Sequence, residues 1–179
     1  TNPPIQPAGY AFAFWGAIYT WIVASAVFGL LQRREDPAWA AHRPWLCVSL
    51  AIGTGWLAIA NASVLWATVT IWAMLLTALA ALRVTPAQDR FWLRAPVGRY
   101  AGWVSAASFV SLAALLAGNG VGPGAYGWAL ILIPAALALA AAVQITSRKA
   151  PEYGAAVAWA LIGIVVANLE SLEAIALLA

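Results

Sequence analysis

One cysteine, one histidine and one methionine are all that this chain of 179 residues holds of the side chains that build disulfides and soft metal sites. Cys47, being alone, excludes an internal disulfide and any multi-cysteine metal centre, and it reads as a small buried hydrophobe. His42 falls in a polar connection, so no apolar stretch offers an axial imidazole to haem or chlorophyll, and Met74 reads as packing filler. No base stands beside a serine or cysteine, and phosphate loops, dinucleotide fingerprints and zinc spacings are missing. The reading is a non-enzymatic protein with no obligatory cofactor. Charge is scarce as well, at 8% of residues, and neither a run of like charge nor a proline- or glycine-rich linker divides the chain. Residues 1–179 therefore read as a single domain. No basic n-region or small-residue cleavage site opens the chain at Thr1, which leaves room for an upstream segment.

What is abundant is apolar surface. With 64% hydrophobic residues and a mean hydropathy of +0.86, a chain this short cannot hide that surface in a water-soluble globule. It reads as an integral membrane protein: an all-α, polytopic helix bundle. The breaks give about six spans, each close to the ~20 residues that cross a bilayer. They are Tyr10 to Leu31, Trp45 to Ala60, Val64 to Leu82, Val97 to Ala117, Tyr126 to Ile145 and Tyr153 to Ala179. Spans two and three form a tight hairpin turning near Asn61, and Pro134 is placed to kink the fifth. Gly118 to Gly124 holds four glycines and no charge, the composition of a flexible turn.

All nine basic residues fall in alternate connections: Arg33, Arg34 and Arg43; then Arg83, Arg90, Arg94 and Arg99; then Arg148 and Lys149. The positive-inside rule makes those three connections cytoplasmic and both termini external, in what is expected to be a bacterial inner membrane. The net charge of +3 then reflects orientation in a bilayer, with no nucleic-acid partner implied. Phe91 and Trp92 belong at headgroup level in the second basic loop.

Two features carry the candidate chemistry. Pro3, Pro4 and Pro7 make an extended lead-in to an aromatic stripe, Phe12, Trp15, Tyr19 and Ile22, spaced to share one helix face. On spacing alone this stripe suits helix packing and an interfacial anchor as well as a ligand surface. In the sixth span Asn168, Glu170, Ser171 and Glu173 cluster within two turns, and intramembrane carboxylates are costly enough to count as functional candidates. They suit a protonated pair, a watery cavity, a partner chain or the outer interface.

The segment Pro7-Ala-Gly-Tyr-Ala-Phe-Ala-Phe-Trp-Gly-Ala-Ile-Tyr19 resembles the proline-led, aromatic entrance to the second helix of the TspO/translocator-protein family, the tryptophan-rich sensory proteins. Ser49-Leu-Ala-Ile-Gly-Thr-Gly-Trp56 is similar to that family's Leu-Asn-x-x-Trp helix, and Pro96-Val-Gly-Arg-Tyr-Ala-Gly-Trp103 to its Pro-Tyr-x-x-Trp segment. Eleven tryptophans fit the same description. Gly53 stands where the family has asparagine, and Ser108 and Ser111 lie near where a second asparagine is expected. The family's first helix has no counterpart here, and residues 118–179 form an additional helical hairpin after a TspO-like part, 1–117.

The resemblance implies a membrane sensor or carrier that binds porphyrin-like, carotenoid-like or other planar apolar molecules, with Tyr10, Phe12, Trp15, Tyr19, Trp56, Tyr100 and Trp103 as candidate ligand-binding residues. Stacking on aromatic faces needs no metal ligand. The alternative is an accessory subunit of a larger pigment-protein or transport complex, and a third reading is a small transporter with Glu170 as proton site. Partners expected besides lipid are the planar ligand and either a second copy of the chain or a larger assembly.

Overall fold

A computed structural model describes residues 6–147 and 150–178, with side chains as far as Asn168. A short 3-10 turn over Gly9–Ala13 leads into α1, Phe14–Gln32. There follow α2, Pro37–Ala40; α3, Arg43–Ala62; α4, Val64–Val84; α5, Arg94–Gly118; α6, Gly124–Thr146; and α7, Pro151–Leu178. Six segments are long and apolar enough to cross a membrane, α2 and α3 together making one of them. No strand occurs among the described residues. This is the all-α membrane bundle expected, with each span within a few residues of its predicted bounds.

Local chemistry explains the boundaries. Ser63 alone separates α3 from α4. Its extended backbone stops the first helix, and its hydroxyl accepts from Trp66 N to cap the second. Asp36 caps α2 at Ala38 N ahead of Pro37, which has no amide to leave unsatisfied. Gly120, Gly122 and Gly124 all adopt positive φ, the backbone that lets the chain turn between α5 and α6 without a Cβ penalty. Helix α6 continues through Pro134.

Helix α5 is the axis of the bundle: α1, α4, α6 and α7 all pack on it, while α3 packs on α4. Small residues permit the closest crossing, since a Cβ on Gly102 would run into the Tyr153 carbonyl of α7. Tyr100, Trp103, Tyr153, Met74 and Leu75 fill the main core. Outside it, large apolar side chains such as Leu31, Leu57 and Leu76 lie open on the helix surfaces, an arrangement stable in hydrocarbon and not in water.

The three basic connections meet at one end. Arg33 binds Asp89, Trp39 Nε1 donates to the same carboxylate at 3.1 Å, and Arg90 pairs with Glu152. Four readings change here. Cys47 is exposed on the outer face of α3, because a lipid-facing surface accepts the same residues as a core. The polar connection around Ala38 contains a helical turn whose Trp39 and His42 are buried against one another. Arg83, Arg94 and Arg99 sit in helix ends, confining the loop to residues 85–93. The buried face of α1 is Ile18, Ile22, Ser25 and Gly29, with Tyr19 41% exposed. The 3-10 start, at three residues per turn, takes Phe12 out of phase with the α-helix that follows.

Candidate functional site

At the opposite end a cavity of about 290 Å³, with no charged side chain among its described lining residues, opens between the lead-in, the end of α3, the start of α4 and the second half of α5. Three of the seven aromatic candidates line it: Phe12 from the 3-10 turn, Trp56 from α3 and Trp103 from α5. Proline 7 shapes the lead-in side, and the remaining wall is largely alanine, including Ala107 of α5 and Ala160 of α7. Small side chains between flat rings leave a slot.

Trp103 is the hub. It is 2% exposed and meets Phe12, Phe14 and Trp15 edge-on or tilted, with centroids 6.3, 5.4 and 6.1 Å away. Its buried Nε1 has no hydrogen-bond partner among the described residues, which costs free energy. The Trp56 indole is fixed by donating Nε1–H to Ala67 O at 3.0 Å, which ties α3 to α4 across the slot. Polar groups at the wall are few. Ser111 Oγ lies 2.9 Å from Thr68 Oγ1, whose proton goes to the α4 carbonyl of Val64 or to Ser111.

The other four aromatic candidates stand off the cavity. Trp15 and Tyr19 stack on each other at 5.1 Å on α1. Tyr10 lies edge-on to Trp159 of α7. Tyr100 is fully buried one turn below Trp103, its hydroxyl 2.8 Å from Ser49 Oγ, which donates to Met74 O. Asn168 donates to Ile164 O within α7, and the side chains of Glu170 and Glu173 lie outside the described residues. His42 sits at the far end of α3, some fourteen residues or about 20 Å from Trp56. Among the described residues no cluster of histidine, cysteine and carboxylates has metal-binding geometry.

Sequence reasoning missed the part that α7 plays. Ala8 N donates to Gly163 O at 3.0 Å, and Gly163 is so close to Pro7 and Ala11 that a Cβ there would sit 3.0 to 3.1 Å from theirs. Trp159, one turn earlier, stacks on Phe14 at 5.8 Å. Helix α7 thus holds the proline lead-in over the cavity. The signal available was Trp159 and Gly163 at i, i+4 spacing on one helix face, unremarkable without a partner segment to match it. Gly53 lies where α3 meets α4, and a Cβ there would sit 3.0 Å from Met74 Cε, so a larger residue needs the flexible Met74 side chain to shift.

Fold and cavity together define a polytopic helical membrane protein with an aromatic slot beneath a proline-led cover. The family model described as TSPO-like protein matches residues 1–179, and the chain belongs to that family. Membership carries a ligand-binding or sensory role in the membrane at the level of the family, which is generally non-enzymatic. No curated protein and no solved structure matches the chain.

Proposed function

We propose that the protein is a membrane sensor or carrier that takes a planar apolar molecule, porphyrin-like or carotenoid-like, into the slot between Phe12, Trp56 and Trp103. The observation that supports this reading is that three aromatic residues from three separate segments wall one cavity, with alanines between them. Ring faces and edges favour a flat π-system over a globular apolar solute. At about 290 Å³ the slot is at the small end of ligand sites. A whole tetrapyrrole needs the Gln6 to Phe12 cover to move outward, whereas a polyene enters endwise. With the basic connections in the cytoplasm, the slot lies in the outer half of the membrane.

The test is titration of the nanodisc-embedded protein with protoporphyrin, read by tryptophan quenching against empty nanodiscs. Saturable quenching that Ala107→Phe abolishes supports the site. Quenching that rises linearly, or that Ala107→Phe leaves unchanged, refutes it.

A further inference from the structure

Helices α4 and α6 both lie on α5 and scarcely touch one another. Between them, at the basic end, runs a groove of about 270 Å³. Its walls are aliphatic, Leu79 and Leu82 from α4 and Leu139 and Val143 from α6, and its polar members, Arg83, Thr146 and Ser147, are gathered where both helices end. Arg33 and Arg90 of the same end are engaged by carboxylates, Arg94 donates to the Thr85 carbonyl, and Arg99 packs over the rings of Phe14 and Trp21. Arg83 is exposed and makes no ion pair or hydrogen bond with another described residue. In sequence, Ser147 is followed directly by Arg148 and Lys149.

We infer that this groove is a binding site for an anionic phospholipid, with an acyl chain between α4 and α6 and the headgroup phosphate on Arg83. An unpaired guanidinium above an aliphatic trench has the polarity of a phospholipid lying parallel to the helices. A water-soluble ligand finds no polar group along the trench, and a zwitterionic lipid gains no net charge attraction from it. Basic pockets between transmembrane helices on the side that the positive-inside rule assigns to the cytoplasm face the anionic leaflet, where each arginine strengthens lipid association about fivefold. The site is at the other end of the bundle from the aromatic slot and does not depend on it.

Native mass spectrometry of protein delipidated from an equimolar mixture of phosphatidylglycerol and phosphatidylcholine tests the assignment. The wild type retains phosphatidylglycerol about fivefold over phosphatidylcholine. Arg83→Gln lowers that retention to the phosphatidylcholine level. Ala142→Trp, which fills the groove from an exposed position on α6, loses both lipids with Arg83 intact. Arg34→Gln, which removes an exposed charge at the same end but away from the groove, behaves as wild type. Equal retention of the two lipids, unchanged retention in Arg83→Gln or Ala142→Trp, or an equal loss in Arg34→Gln overturns it.

Discussion

Phe12 and Trp103 meet edge to face, their ring centroids 6.3 Å apart and their planes at 87°. One comes from the short turn that opens the chain's first span and the other from the central helix, so the contact joins the cover of the slot to its floor. Truncating Phe12 to alanine removes a wall without touching the α5 core. Porphyrin affinity is expected to fall about tenfold, the effect of one aromatic contact together with its buried area, while thermal stability stays near wild type. Fluorescence titration and a melting curve read the two effects separately.

The cover depends on α7. Gly163→Val puts a branched side chain where Pro7 and Ala11 already sit within about 3 Å of a Cβ, and it lifts the lead-in off the helix. Ligand dissociation measured by stopped flow is expected to accelerate, with association unchanged or faster. Slower association together with slower dissociation would show that the lead-in does not act as the cover.

Tyr100 lies one turn below Trp103 and yet serves the core. Its hydroxyl completes a chain through Ser49 to the Met74 carbonyl. Tyr100→Phe is expected to cost about 1 kcal/mol, the net value of one buried hydrogen bond, and to lower Tm by roughly 2–4 °C for a chain of this size. Ligand affinity should not move, since Tyr100 does not line the slot.

Two glycines should respond differently to the same substitution. Gly102→Ala drives a methyl into the Tyr153 carbonyl and forces α5 and α7 apart, an overpacking cost of about 3 kcal/mol. Gly55 on α3 has nothing within 4 Å of a Cβ, and Gly55→Ala should leave stability unchanged within about 1 kcal/mol. Thermal unfolding in one detergent compares them directly.

The knot at the basic end titrates. The Arg33 guanidinium, bound to Asp89 at 2.8 Å, is the main force holding that carboxyl below its ordinary range; partial desolvation opposes it, and the Trp39 indole adds to it. A folded pKa below the unfolded one means that the stabilisation is present above the usual carboxylate value and is lost as pH falls through it toward the folded pKa. Stability should hold from pH 7 to about pH 5 and then decline below about pH 4. Asp89→Asn keeps a residue that tolerates the positive φ at this position. It should be less stable than wild type at pH 7 and flatter in acid, by a small margin because the pair is partly solvated.

The span pattern was legible because prolines, charges and glycine turns interrupt an otherwise continuous apolar sequence, and each break is a local event. Residues of the slot were legible only in part. Phe12, Trp56 and Trp103 stood out as aromatics in motif positions, but the alanines beside them resemble every other alanine in the chain. Burial was the least legible property. Cys47, expected in the core, lies on the surface because a membrane helix presents apolar residues both to its neighbours and to lipid, so hydropathy does not separate core from surface. The part played by Gly163 needed the tertiary structure, since nothing local to α7 announces that the first residues of the chain will rest on it.

An experimental structure of the protein with protoporphyrin or a polyene bound tests the central claim most directly. Ligand is expected between Phe12, Trp56 and Trp103, with the Gln6 to Phe12 segment displaced outward for the macrocycle. Ligand bound only on the lipid-facing surface, with the slot closed and its rings unmoved, would contradict it.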